Sequence, residues 1–113
     1  MLYKFEPINH IAWLQPQNLH NPEENKIILS FIDNQLQTIG NQWIIDLSAL
    51  HYLNSTGLNF LIAALSRVRA QSGEIILIGL SAHIQQVLVI TRLQTLFMIK
   101  NNTQEALTAF ETD

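Results

Sequence analysis

The chain has 113 residues, a length typical of one domain, so residues 1–113 are expected to form a single domain. Hydrophobic residues make up 48% and charged residues 13% of the chain, which favours a globular fold over disorder. The net charge of −3, with six Lys and Arg residues, excludes the strongly basic composition of a typical nucleic-acid-binding protein. The absence of cysteine excludes disulfides, thiolate metal sites and thiol catalysis, and fits the cytoplasm.

The pattern of apolar residues also argues against membrane insertion. Lys4 and Glu6 interrupt the first apolar stretch, so the first residues lack the apolar core of a signal peptide. Elsewhere no run reaches the roughly 18 apolar residues of a membrane span.

The first three elements are two strands and a helix. Residues 2–8 and 10–14 are short β-type runs separated by turn-forming residues, and we expect a hairpin or two neighbouring strands. A helix follows, with Asn21 as N-cap, Pro22 at its first position and Gly40 just past its end. Its apolar residues recur at three and four positions and predict one buried stripe: Ile28, Phe31, Ile32, Leu36 and Ile39.

The second half alternates strands and helices. The predicted elements are a strand over 42–47, a helix from about Thr56 to Gln71, a strand over 74–80, a helix capped by Ser81 and ending near Thr91, a strand over 96–100, and a helix over 103–110. Leu58, Leu61, Ile62, Leu65 and Val68 form the predicted buried face of the second helix. This order predicts an α/β fold with a small mixed, mainly parallel sheet and about four helices.

A polar junction between strand 42–47 and the second helix is the strongest candidate site. It reads Asn54-Ser55-Thr56-Gly57, and it places two adjacent hydroxyls where a strand end leads into a helix start. Sites in parallel sheets tend to lie at such junctions. Ser55 and Thr56 could equally be N-cap residues with no other role, and Gly57 could serve only close packing.

Residues 42–100 resemble the core of the STAS domains, the family of anti-sigma factor antagonists and sulphate-transporter tails. Three short matches occur in the family's order and spacing: Asp46-Leu47-Ser48, Asn54-Ser55-Thr56-Gly57-Leu58 and Gly73-Glu74-Ile75-Ile76-Leu77. The resemblance implies a switch in which the unmodified domain binds a serine kinase that is also an anti-sigma factor, and a serine phosphatase reverses the phosphorylation. The implied acceptor is Ser55, with Thr56 the less favoured position.

The sequence departs from the family pattern in three places. The acidic residue before the acceptor is Asn54, which keeps the capping chemistry and removes a charge. The family's Gly-Glu-Leu-Asp loop corresponds to residues 14–21, which contain no carboxylate. Arg92 occupies the position of a family glycine after the third helix.

The third helix contains an apolar pair outside its buried stripe. Ile84, Val87, Leu88 and Thr91 lie on one face, whereas Val89 and Ile90 do not. A helix that is apolar on several faces is usually deeply buried, so burial of the pair is expected, and its exposure would favour a binding patch. The residues considered for partner binding are Asn54, Ser55, Thr56, Gly57, Leu58, Asn59, Val89 and Ile90.

Catalytic, metal and cofactor sites are not expected. His51 precedes Ser55 by four residues, but the Gly-x-Ser-x-Gly pattern of a serine hydrolase is absent. Asp46 has no second carboxylate near it in sequence and is expected to be a turn or cap residue. The four histidines are too dispersed for metal-ligand spacing and are expected at the surface or in caps. No glycine-rich phosphate loop is present, so any ATP would belong to a partner.

Two binding functions and one catalytic function therefore remain. The first is an anti-sigma factor antagonist switched by phosphorylation of Ser55, which the intact Ser-Thr-Gly-Leu sequence favours. The second is a constitutive docking subunit, for example on the ATPase of an ABC-type lipid transporter, which Asn54 and the missing loop carboxylates favour. The third is an enzyme, for which no catalytic constellation is visible.

Overall fold

The computed structural model describes residues 1–111, which form one five-stranded mixed sheet and four α-helices. The strands are β1 Tyr3–Ile8, β2 Ile11–Pro16, β3 Gln42–Asp46, β4 Glu74–Ile78 and β5 Met98–Ile99. The helices are α1 Pro22–Thr38, α2 Ser55–Ala70, α3 Ala82–Ile90 and α4 Thr103–Glu111, with a 3-10 turn at Leu93–Thr95. The strand order is β1-β2-β3-β4-β5; β1 is antiparallel to β2 and the other neighbours are parallel. The predicted fold class is confirmed.

The sheet is covered on both faces, as the short apolar strands predict. Trp43 and Ile45 of β3 belong to the core shared with α1, α2 and α3, whereas Ile44 belongs to the smaller core under α4. All three side chains are fully buried. A central strand buried on both faces explains why its sequence is a continuous apolar run and does not alternate.

The helix starts are encoded by their capping residues. The side chain of Asn21 accepts hydrogen bonds from the backbone N–H groups of Glu23 and Glu24, at 2.9 and 3.1 Å. Ser81 Oγ accepts one from Ile84 N at 3.1 Å. Both predicted caps are therefore confirmed.

The prediction was less accurate at three other places. Only two residues of the predicted strand 96–100 pair with β4, because Leu96 still closes the 3-10 turn through the bond from its N–H to Leu93 O at 2.9 Å. Ile62 lies beside the buried stripe of α2 and is 44% exposed. Burial of Val89 and Ile90 was wrong: they are 56% and 80% exposed, because α3 contributes only Ile84 and Leu88 to the core. The opposite face of α3 is left uncovered by the described residues.

Candidate functional site

The start of α2 lies at the edge of the sheet where three parallel strands end. β2, β3 and β4 run in the same direction, so the segments that follow them meet at one edge. These segments are 17–21, 47–54 and 79–81, and they lead into α1, α2 and α3. The edge therefore collects three loops and three helix starts.

Asn54, and neither hydroxyl residue, is the N-cap of α2. Its backbone is extended (φ −101°, ψ −175°), and its Oδ1 accepts a hydrogen bond from Gly57 N at 3.0 Å. The helix consequently begins at Ser55, one residue before the predicted start. The interpretation of Ser55 or Thr56 as cap was wrong, because an asparagine one residue earlier already satisfies the free N–H of the first turn.

The cap leaves two backbone donors available. Within the described residues, the N–H groups of Ser55 and Thr56 have no hydrogen-bond partner, as expected for the first turn of a helix. Leu58 N is already bonded to Asn54 O at 2.9 Å. Free N–H groups and the positive end of the helix dipole make this position favourable for an anion.

Three serines lie near this edge, and their hydroxyls differ in hydrogen bonding. Ser48 Oγ accepts a hydrogen bond from Gln15 Nε2 at 3.1 Å. Ser81 Oγ caps α3 and donates to the backbone carbonyl of His51 at 3.2 Å. The Ser55 hydroxyl is exposed and makes no hydrogen bond to any described residue. Of the three, only the Ser55 hydroxyl is exposed without an intramolecular bond.

Gly57 permits close packing beneath the helix start. A Cβ at this position would lie 2.8 Å from Leu53 Cδ1 and 3.4 Å from Leu19 Cβ. Leu19 is 1% exposed, and its carbonyl accepts a hydrogen bond from the buried side chain of Asn25 at 3.1 Å. Gly57 therefore has a packing role, and the loop at 17–21 is anchored directly against the start of α2.

An aromatic pair beside the helix start was not found by sequence analysis. His20 stacks on Tyr52, with ring centroids 4.6 Å apart and an interplanar angle of 21°. His20 lies in the loop after β2 and Tyr52 in the loop after β3, and both are exposed. Nothing in the sequence indicated that two residues 32 positions apart would meet. The loop after β2 contains one ring and the loop after β3 contains two, His51 and Tyr52, and the pairing arises from the strand order.

Asp46 organises the same edge and has a structural role, as expected. Its Oδ1 accepts a hydrogen bond from Ser48 N at 2.9 Å, and its Oδ2 accepts one from Gln15 Nε2 at 3.2 Å. Gly79 lies directly against this carboxylate with φ +70°; a Cβ there would lie 2.6 Å from Asp46 Oδ1. The carboxylate thus links the ends of β2 and β3, and each of its oxygens accepts one hydrogen bond.

The candidate residues separate into two surfaces. Ser55, Asn59 and Ile62 recur at four and three positions on the exposed side of α2. Thr56 and Leu58 are half-buried and Gly57 is buried, so these three contribute less to the surface. Val89 and Ile90 lie on α3, eight and nine residues after the cap Ser81, or about 12 Å further along the helix at 1.5 Å per residue.

The STAS domain family model matches residues 24–106 of the chain. The chain belongs to the STAS domain family. A curated relative from Bordetella bronchiseptica, BtrV, is named as a candidate anti-sigma factor antagonist and is 30% identical over 69 residues. That match covers 61% of this STAS domain chain and 60% of the relative, so the chain spans somewhat less than two thirds of that relative.

Solved structures confirm the STAS fold. A Thermotoga maritima protein described as a candidate anti-sigma factor antagonist has a TM-score of 0.84 and 18% identity, covering 95% of this STAS domain and 92% of that chain. The anti-sigma factor antagonist SpoIIAA in its unphosphorylated form has a TM-score of 0.80 and 16% identity, covering 98% and 97%. The phosphorylated form of SpoIIAA from Bacillus scores 0.73 at 16% identity, covering 96% and 98%. At these identities the structural similarity establishes the fold alone.

Among residues 1–111, no group of three or more His, Asp or Glu residues of this STAS domain could hold a metal ion. All four histidines are exposed, as expected. None of its helices within the same residues is long and apolar enough to cross a membrane. Anti-sigma antagonists of the STAS family are in general not enzymes.

Proposed function

We propose that this STAS domain is a partner-switch module, and that its switch is phosphorylation of Ser55. In the proposed cycle, the unmodified domain binds a cytoplasmic serine kinase that also acts as an anti-sigma factor. Phosphorylation of Ser55 releases the kinase, and a serine phosphatase restores the binding form. The chain itself performs no catalytic step and binds no cofactor or nucleic acid.

The proposal rests mainly on the exposure and hydrogen bonding of the Ser55 side chain. Its hydroxyl is exposed and free of intramolecular hydrogen bonds, because Asn54 provides the cap. Thr56 is half-buried, which favours Ser55 as the acceptor. A substrate hydroxyl must enter a kinase active site, and one engaged in capping would first have to break its bond.

The geometry supports release of the partner without unfolding of the domain. A phosphate on Ser55 carries a charge of about −1.5 to −2 at neutral pH. At the first position of α2 this charge lies beside two free N–H groups and the positive end of the helix dipole, which stabilise it. A partner surface packed against a neutral hydroxyl would instead have to desolvate the new charge.

The side chains that we propose to meet the partner carry no carboxylate, Lys or Arg. Around Ser55 lie the stacked pair His20 and Tyr52, the amide of Asn59 and the half-exposed Ile62. None of these side chains is a carboxylate, so the proposed docking depends on aromatic and apolar contact more than on acidic residues. A phosphate on Ser55 would therefore place a negative charge among these uncharged side chains.

The test compares two substitutions of nearly equal size. Ser55→Asp adds a charge and Ser55→Asn does not, so the pair separates electrostatics from steric effects. After copurification of the partner kinase from the native host, we expect Ser55→Asp to weaken binding more than about tenfold and Ser55→Asn to weaken it far less. Circular dichroism should show both variants folded.

Phosphorylation itself is read by mass spectrometry after incubation with the kinase and ATP. We expect phosphate on Ser55, none in Ser55→Ala, and continued modification of Ser55 in Thr56→Ala. Phosphate on Thr56 alone would show that Thr56, and not Ser55, is the acceptor. Equal partner affinity for Ser55→Asp and Ser55→Asn would refute the switch.

A constitutive docking subunit is the second candidate function. It is favoured by the lack of carboxylates in loop 17–21 and by the neutral residue Asn54 before the acceptor. In that case the copurified partner is an ATPase subunit, for example of an ABC-type lipid transporter. No phosphate is then found on Ser55, and the complex persists in the presence of ATP.

A further inference from the structure

The outward face of α3 forms a shallow apolar depression that is separate from the start of α2. Five residues line it: Ala82, Gln85, Gln86, Val89 and Ile90. All are exposed, and Val89 and Ile90 are exposed by 56% and 80%. Two adjacent β-branched side chains at such exposure favour contact with another surface, because their burial removes apolar area from water.

The side chain that lines the amino end of the depression is smaller than those that line its carboxyl end. Its amino end is formed by the small side chain of Ala82, and its carboxyl end by Val89 and Ile90. When two such helices pack antiparallel, the small end of each meets the large end of the other. The small residue then leaves space for the large ones, which allows the helix axes to approach closely.

The face is also neutral. The sequence from Ala82 to Ile90 contains no Asp, Glu, Lys or Arg. In an antiparallel pair with a twofold axis, the residues nearest the axis lie beside their own copies, so a charge there would repel itself. By contrast, the first turns of α1 contain Glu23, Glu24 and Lys26. A partner recognised by charge would find no formal charge on the outward face of α3.

The central residues suit a twofold axis. Gln86 is midway between Ala82 and Ile90, so in an antiparallel pair it lies near its own copy. A glutamine amide both donates and accepts hydrogen bonds, and two copies can therefore bond to each other. The face is complementary to itself in size, in charge and in hydrogen bonding.

We propose that the occupant of this face is a second copy of the chain, with the two α3 helices antiparallel. The contact is smaller than the roughly 800 Å² per partner of a standard interface, so the dimer is weak and depends on concentration. The face is built from α3 alone, whereas Ser55 lies at the start of α2, so we expect the dimer to leave Ser55 accessible on each copy. The dimer does not depend on the partner switch.

The first test introduces charge near the proposed axis. Sedimentation equilibrium on the full chain, from micromolar to millimolar concentration, measures the dimer dissociation constant. We expect Gln86→Glu and Gln86→Lys each to raise it on the order of tenfold by self-repulsion, and an equimolar mixture of the two to restore association. Gln37→Glu and Gln37→Lys, at an exposed position of α1, are matched controls and should have no effect.

The second test removes apolar area. Val89→Ala should raise the dissociation constant severalfold, whereas Ile27→Ala should not, although both wild-type side chains are 56% exposed. Circular dichroism confirms that all variants are folded. Ser55→Asp should leave dimerisation unchanged, so failure of the switch and failure of the dimer are distinguishable.

Three results would overturn the proposal. One is a wild-type chain that stays monomeric at millimolar concentration. Another is a dimer that is insensitive to the Gln86 and Val89 substitutions, which would place the contact elsewhere. The third is loss of binding to the copurified partner by these variants with no change in self-association, which would assign the face of α3 to that partner.

Discussion

Replacing Asn54 with alanine tests the structural basis of the proposed acceptor site. The substitution removes the Oδ1 acceptor that lies 3.0 Å from Gly57 N and leaves a first-turn donor without its partner. Loss of an asparagine N-cap typically costs about 1 kcal/mol, within a range of about 0.5–2 kcal/mol. For a domain of this size, 1 kcal/mol corresponds to a fall in melting temperature of about 3–5 °C.

Asn59→Ala is the matched control, because it makes the same chemical change five residues later. Asn59 is exposed in the second turn of α2, where alanine has the higher helix propensity. We expect this variant to be unchanged or stabilised by up to about 0.7 kcal/mol. The same substitution should therefore have opposite effects at the two positions.

Urea unfolding followed by circular dichroism measures both effects. A shift in the midpoint with an unchanged m-value indicates a change in stability and not in the denatured state. Asn54→Asp keeps the acceptor and should retain the wild-type stability or exceed it through the helix dipole. Equal destabilisation by Asn54→Ala and Asn59→Ala would refute the assignment of Asn54 as the cap that frees Ser55.

Two further predictions concern backbone positions with positive φ. Gly79→Ala should destabilise the fold by about 2 kcal/mol, because φ is +70° and the new Cβ would lie 2.6 Å from Asp46 Oδ1; an unchanged denaturation midpoint would contradict this. Arg92→Gly should stabilise the fold by about 0.5–1 kcal/mol, because Arg92 follows the C-cap of α3 in the left-handed region (φ 63°), which glycine adopts without penalty. A melting temperature that rises equally in Arg92→Ala would show that φ is not the cause.

Most helices and strands could be predicted from the sequence because their signals are local. Asn21 and Ser81 cap helices through bonds to residues two or three positions later, and these bonds need no distant partner. The apolar runs of β3 and β4 predicted strands buried on both faces, since covering helices follow from the alternation of elements. The resemblance to STAS domains directed attention to Ser55, whose role as acceptor stays a prediction.

The errors arose where exposure depends on neighbouring elements. Ile62 was expected in the core. It directly follows the buried Leu61, but it lies three residues after Asn59 and shares the exposed side of α2 with it. Val89 and Ile90 were expected to be buried, but the described elements cover only the other face of α3. Periodicity identifies a buried stripe, whereas its width depends on how many elements pack around the helix.

The sequence by itself determined which residues cap the first and third helices, which strands are central and which serine is the candidate acceptor. The tertiary structure decided that Ser55 is exposed and Thr56 half-buried, because exposure depends on the elements that pack around the start of α2. It also decided that His20 meets Tyr52, since β2 and β3 are adjacent and parallel, which brings their following loops to the same edge of the sheet. A capping bond spans a few residues, whereas a surface collects residues distant in sequence, and only the packed chain brings those together.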